Sequence, residues 1–425
     1  MGKGMRLLAL WGFVLLGLGG TGTPAWADGA PVGSDVAVAQ TLGERELTVT
    51  VRRTDGAPAP LQVDIINHVG SPLGTLRLSA VPAGARATST ATIDLGIGPS
   101  SALLRVDRFG YWELEIDDGS HTARIPFSVP ERVVPAWERA VYGGFVAAGI
   151  FLIGGLVLAA RGGKLVLVPA AGLVAALSVA VTAALLSPTI PAKSTQDNAR
   201  PPVNLAVTAD NPTTGSPVTL ALSVTDGATG RPVDDIVLHH GALIHLAIVG
   251  PTGNLAHVHP VRTAPGDYRA QFTPTEPGRY VMAAEVARVG GGTQQVRADI
   301  TVTGDAVPLS KATPGTVTVG PLVAGDPATL TADFTGKDDL QPWLGMRGHL
   351  IVVGPLPTQD VWAHVHAMTT ATAGTQPDET VAAYPAKVSF TFTFPRPGRY
   401  LAWFQAERDF AILTIPTTLD VEAQP

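Results

Sequence analysis

The chain of 425 residues contains no cysteine. That excludes disulfides, thiolate metal sites and cysteine nucleophiles, so any metal ligand must be histidine, methionine or a carboxylate. Charge is also scarce: 15% of residues are charged against 45% hydrophobic, too oily for an ordinary soluble chain and pointing to membrane segments. With a net charge of −6 and no basic run interleaved with aromatics, nucleic acid is excluded as a partner. G-x-S-x-G, H-E-x-x-H and Walker loops are all missing, so no catalytic constellation emerges and the chain does not read as an enzyme. A G-x-G-x-x-G match at Gly17–Gly22 follows no strand of a βαβ unit and is discarded as a nucleotide motif.

What is present begins with targeting. Lys3 and Arg6, the apolar run Leu7–Leu18 and Ala25-Trp26-Ala27 predict a secretory signal over residues 1–27, the alternative being an uncleaved N-terminal anchor. Val141–Ala160 and Leu165–Leu186 are uncharged apolar runs of 20 and 22 residues, long enough to cross a bilayer. Only Arg161-Gly162-Gly163-Lys164 separates them, which predicts a transmembrane helical hairpin over 141–186 with a cytoplasmic turn. Arg132, Arg139, Lys193 and Arg200 flank the other ends, so the signal rather than charge bias sets the orientation. Neither run contains an ionisable residue, which predicts an anchor rather than an ion path. The lipid bilayer is thus a predicted partner, with the flanking domains on the extracytoplasmic side of the cell membrane.

Short alternating segments such as Leu47–Val51, Leu61–Ile66, Leu103–Val106 and Trp112–Ile116 predict an immunoglobulin-like β-sandwich over residues 28–134. After a polar linker, 187–202, the chain repeats itself. Gly215–Leu220 recurs as Gly325–Leu330, Asp234-Asp235 as Asp338-Asp339, and His245–Pro251 as His349–Pro355. Ala256–His259 recurs as Ala363–His366, and Pro277–Tyr280 as Pro397–Tyr400. Five blocks in the same order are a duplication, giving sandwich repeats at 203–303 and 315–423. The predicted fold class is all-β: three immunoglobulin-like sandwiches, with the two-helix hairpin between the first and second.

Six of the ten histidines fall in the duplicated blocks: His245, His257, His259, His349, His364 and His366. In a strand, residues i and i+2 leave from one face about 7 Å apart, so H-x-H can aim two imidazoles at one point. Whether His245 joins them depends on the loop after its strand: an odd number of residues puts it on the same face, two or four do not. Three neutral imidazoles suit Cu(II) or Zn(II), with the affinity order favouring copper. Met346 and Met368, close to the second set, add sulfur that favours Cu(I). His239-His240 aligns with Trp343-Leu344 and is not counted as a ligand, while isolated His68 and His121 read as surface residues. The Pro-Gly-Arg-Tyr blocks predict a turn into a late strand with the tyrosine packed inside.

On these residues the chain resembles bacterial secreted YtkA-like domains. The likeness is carried by Trp343–Val353, His364–His366 and Pro397–Tyr400, and by His245–Pro260 and Pro277–Tyr280 in the first copy. Gly110–Ile116 and Ile125–Phe127 resemble, more loosely, the sandwiches of copper-resistance proteins of the CopC/CopD type. The second copy departs from H-x-H-P in having Ala367 after His366. The resemblance implies exported sandwiches that work beside copper-handling envelope proteins. Two functions are therefore expected as rivals: capture or delivery of copper, or a structural or interaction module without metal.

Overall fold

Alternation of apolar and polar residues builds each domain strand by strand. In the computed structural model, residues 35–131, 136–186, 200–308, 313–369 and 377–425 are described, apart from 53, 55, 163, 381 and 382. The expected signal and most of the expected linker lie outside the described residues. The N-terminal domain comprises β1 (Val36–Leu42), β2 (Arg45–Val51), β3 (Ala59–Asn67), β4 (Gly74–Pro82), β5 (Ser89–Leu95), β6 (Gly98–Val106), β7 (Gly110–Asp117) and β8 (Thr122–Val129). Sheets ordered β1-β2-β3-β6 and β5-β4-β7-β8 pack face to face. On β7, Trp112, Leu114 and Ile116 enter the core while Glu113 and Glu115 point outward, as one-sided burial requires.

Two helices follow, α1 (Ala136–Ala160) and α2 (Leu167–Leu186), each long and apolar enough to cross a membrane. They meet through small residues. A Cβ on Gly144 would lie 2.8 Å from the Ala180 Cβ and 2.9 Å from the Ala176 carbonyl oxygen. Close backbone approach of this kind is how apolar helices associate where the hydrophobic effect gives no help.

Repeat 1 contains β9 (Val203–Ala209), β10 (Val218–Asp226), β11 (Ile236–Val237), β12 (Ile244–Val249), β13 (Leu255–Val258), β14 (Val261–Ala264), β15 (Asp267–Phe272), β16 (Gly278–Arg288) and β17 (Gly292–Val302). Its sheets run β14-β15-β10-β9 and β11-β16-β12-β13, with β17 also on β16. Repeat 2 contains β18 (Thr316–Val319), β19 (Pro327–Asp333), β20 (Met346–Gly354), β21 (Val361–Met368), β22 (Lys387–Thr393), β23 (Gly398–Arg408) and β24 (Ala411–Val421). Its sheets run β18-β19-β22 and β21-β20-β23-β24.

The duplicated blocks acquire physical reasons. Tyr280 and Tyr400 are buried, and their hydroxyls donate to the carbonyls of Glu276 and Arg396, four residues upstream, at 3.1 and 2.9 Å. These are tyrosine corners, each pinning the turn that enters its late strand. The Asp-Asp blocks are ion-pair clips: Asp235 Oδ1 accepts from Arg288 Nε at 2.9 Å, and Asp339 is held by Arg408 in the same place of repeat 2.

Strands β12 and β20 are apolar on both faces, so each must be covered twice. Leu246 and Ile248 enter the core of repeat 1, and Leu350 and Val352 that of repeat 2. Their other faces meet each other. Val249 and Ala283 pack with Ile351, Val353, Trp362 and Trp403 in a seam between the repeats. Ala283 and Trp403 hold equivalent positions, five residues after Gly278 and Gly398. The equivalent sheet of each copy therefore forms the contact, as in a two-fold symmetric dimer. Trp403→Ala should cost about 3–5 kcal/mol, read as a lower denaturant midpoint of the full chain; an unchanged midpoint would show the seam contributes little.

Candidate metal centre

Register decides whether the histidines converge. In repeat 1, Ala247 stands opposite His257 and Val249 opposite Leu255, leaving a loop of five residues. The odd loop puts His245 on the face of His257 and His259. In repeat 2, His349 stands opposite His366 and Gly354 opposite Val361, leaving six residues. The spacing from His349 to His364 is 15 residues, against 12 from His245 to His257. That odd difference is matched by the change in loop parity, so both trios face one way. Within each trio, one ring nitrogen per residue lies within 4.8 Å of the other two.

The shared face is the seam, so the two trios meet. His245 and His364 have ring centroids 4.7 Å apart, and His257 and His364 5.1 Å. The first histidine of each H-x-H crosses over: His257 Nδ1 lies 2.8 Å from Gln405 Oε1, and His364 Nδ1 3.7 Å from Glu285 Oε2. Glu285 and Gln405 are equivalent residues, opposite His245 and His349 on β16 and β23. Trp343 is buried against His257, His259 and His349. A crevice reaches His245, His257, His364 and Glu285.

The hydrogen bonds fix which nitrogen of each ring is offered. His245 Nε2 donates to the His239 carbonyl at 3.0 Å, and His349 Nε2 to the equivalent Trp343 carbonyl at 3.3 Å. His259 Nδ1 donates to Glu46 Oε1 of the N-terminal domain at 2.6 Å, and His257 Nδ1 to Gln405. The lone pairs left are His245 Nδ1, His257 Nε2 and His259 Nε2. All three are buried, and no hydrogen bond reaches them. Bare nitrogens whose opposite ring N–H is anchored by a carbonyl, amide or carboxylate are what metal-ligating imidazoles present. Bonds of about 2 Å need donors no more than about 4 Å apart, a little closer than the 4.8 Å within which one ring nitrogen of each trio member lies.

In the second trio, His349 Nδ1 lies 3.0 Å from His364 Nε2, and no hydrogen bond reaches His366 Nε2. Moving the His364 proton to Nδ1, towards Glu285, frees its Nε2 beside them. Met346 and Met368 stand opposite each other beyond His366, and Met368 is 62% exposed. They lie at the outer end of the same face.

The structure corrects the reading of His68, which is 1% exposed, buried by docking of the N-terminal domain on repeat 2. His121 is partly exposed beside Asp118. His239 and His240, set aside on alignment, join the cluster: His239 Nε2 is 3.0 Å from Glu285, and the His240 ring is 4.0 Å from that of His366. Glu285, Gln405 and Glu46 were missed. Glu285 and Gln405 left one signal, being polar residues inside apolar strand runs; Glu46 left none, because its partner lies in another domain.

Burial first, and neighbouring imidazoles second, depress the histidine pKa values. His257 and His259 fall to about 3, His366 to about 2, and His245, His349 and His364 well below the ordinary value. Burial works to raise the Glu285 carboxyl, but the His239 hydrogen bond and nearby imidazoles hold it low. The centre is therefore neutral imidazole beside a carboxylate, a donor set able to hold a metal ion.

Fold and site together define a protein of tandem β-sandwiches with a histidine-lined, metal-competent seam. Both repeats match the family model described as Domain of unknown function (DUF8832), over residues 198–304 and 313–423, and the chain belongs to that family. No curated protein sequence matches it. A solved tetra-tandem repeat from the extending region of a large adhesion protein is 13% identical, covering 91% of this chain and 74% of that one, with TM-score 0.17. Salmonella alpha-2-macroglobulin reacted with methylamine is 9% identical, covering 93% and 24%, with TM-score 0.21. Fibronectin(III)-like modules of Clostridium thermocellum CbhA are 15% identical, covering 51% and 95%, with TM-score 0.15. The chain spans about a quarter of the length of that macroglobulin.

In the unfolded chain these histidines take up protons as pH falls through about 6.5, whereas the folded trios stay neutral to far lower pH. Across that interval the unfolded state binds more protons, so metal-free stability falls as pH falls. Glu46, Glu379 and Glu407, raised by burial, act in the opposite sense but are fewer. Thermal unfolding of the chelator-treated chain should drop from pH 7 to 4, and less steeply in a His257→Gln/His364→Gln variant; equal slopes would contradict the assignment.

Proposed function

We propose that this is a membrane-anchored, extracytoplasmic copper-binding protein that holds metal between its two repeats. One observation carries the reading: His245 Nδ1, His257 Nε2 and His259 Nε2 are buried together, bare, on rings anchored from behind. A structural module without metal leaves those nitrogens without a reason, since buried polar atoms without partners are costly. All-imidazole donors suit Cu(II) and Zn(II), and the affinity order favours copper. Met346 and Met368 offer sulfur where an ion would enter or leave, which suits Cu(I) and exchange with copper-handling envelope partners. Resemblance to YtkA-like and CopC/CopD-type domains points the same way. The protein on this reading is a binder that captures or delivers metal, without catalysis.

Topology supports the anchor. The N-terminal sandwich touches repeat 1 through Glu46–His259 and Arg262–Glu113, the latter at 2.7 Å. Domains in contact lie on one side of a membrane, and two crossings between them return the chain to that side. The predicted signal makes that side extracytoplasmic.

Full-length protein in detergent, stripped, loaded with copper and desalted, should carry one copper ion more than a His245→Ala/His259→Ala variant. Wild type that retains no copper sinks the proposal. Glu46→Gln should weaken copper binding about 10–100-fold, the usual cost of losing a partner that orients a ligand. The lack of native cysteine allows a labelling test of orientation in intact cells. An impermeant maleimide should label Asp326→Cys and spare Arg161→Cys; the reverse pattern would invert the topology.

A further inference from the structure

A second buried cluster lies where the N-terminal sandwich meets repeat 2. His68 follows β3, Glu379 lies between β21 and β22, and Glu407 sits near the end of β23, with exposures of 1%, 6% and 0%. One ligating atom from each lies within 4.8 Å of the other two. The surrounding contact is well fixed: the Val69 N–H donates to the Phe410 carbonyl at 2.8 Å. Gly98, with φ +87°, lets the Phe410 ring close in, since a Cβ there would lie 2.9 Å from it.

The ion pairs of both carboxyls run to the same imidazole, Glu379 at 3.7 Å and Glu407 at 3.3 Å. Thr48 Oγ1 lies 3.3 Å from Glu379 Oε1 and 3.0 Å from His68 Nε2. His68 Nδ1 and both oxygens of Glu407 are buried without a well-aligned partner, and the two carboxyls are close enough to share a proton. In a desolvated interface two carboxyls and an imidazole this close need a positive charge between them, a proton or a metal ion. Burial accordingly raises both carboxyls, Glu407 to about 7 and Glu379 well above its ordinary value.

We propose that His68, Glu379 and Glu407 form a site for a divalent cation of the zinc or manganese class, tying the N-terminal sandwich to repeat 2. Two carboxylates balance the charge of such an ion, and an oxygen-rich set favours harder metals than the all-imidazole trios do. The inference does not depend on the trios holding copper.

Stripped full-length protein, saturated with zinc chloride at pH 7.5 and desalted, provides the test by elemental analysis. Glu407→Gln and His68→Gln should each carry one zinc fewer than wild type, whereas His257→Ala/His364→Ala should keep that ion. Zinc held in the trios enters wild type and the first two variants alike, so their difference reports this site alone. Equal zinc in wild type and both variants overturns the proposal and leaves a proton shared between the carboxyls. Should Glu407→Gln fail to fold, His68→Gln decides by the same criterion.

Discussion

The contact between the outer faces of β12 and β20 is the constraint on which the rest of the molecule depends. Each strand is apolar towards its own core and apolar again on the side away from it, so neither repeat can leave that face in water. Packing equivalent faces together removes both from solvent with Trp362 and Trp403 as the largest elements. The same strands carry His245 and His349 in their first halves, and burial of their apolar second halves draws the imidazoles in with them. Filling that end with aliphatic side chains would be energetically simpler. Polar rings lie there instead, bare nitrogens facing inward, and burial keeps them neutral.

Orientation matters as much as proximity. An imidazole offers a metal whichever nitrogen does not carry the proton, and here that choice is made by groups outside the trios. Main-chain carbonyls at His239 and Trp343 set His245 and His349, the Gln405 amide sets His257, and the Glu46 carboxylate sets His259. Two of these four anchors, Gln405 and Glu46, come from another domain. The N-terminal sandwich therefore contributes to the centre, although the helical hairpin separates it from the repeats in sequence.

Much of the architecture was legible in order. Alternating segments gave the sandwiches, two uncharged runs gave the helices, and five matched blocks gave the duplication. The Pro-Gly-Arg-Tyr blocks proved to be tyrosine corners, as their packing role implied. His68 was misjudged because burial by a docked domain leaves no local trace. His239 and His240 were set aside because alignment asks whether a residue is repeated, not whether it lies near a site. Their counterparts Trp343 and Leu344 share the backbone role but not the side-chain chemistry, so the two copies are equivalent in fold and unequal at the seam.

Local spacing alone determined that each H-x-H pair shares a face and that a third histidine opens the neighbouring strand, because the pleat repeats every two residues. Loop parity, which places that third ring on the same face, was open until register was known: five residues in one copy, six in the other. Only the tertiary structure decided that the two trios confront each other, that Glu46 belongs to one of them, and that His68 lies with Glu379 and Glu407. Such contacts join positions as many as about three hundred residues apart, and their energy comes from burying surfaces that no window of sequence contains.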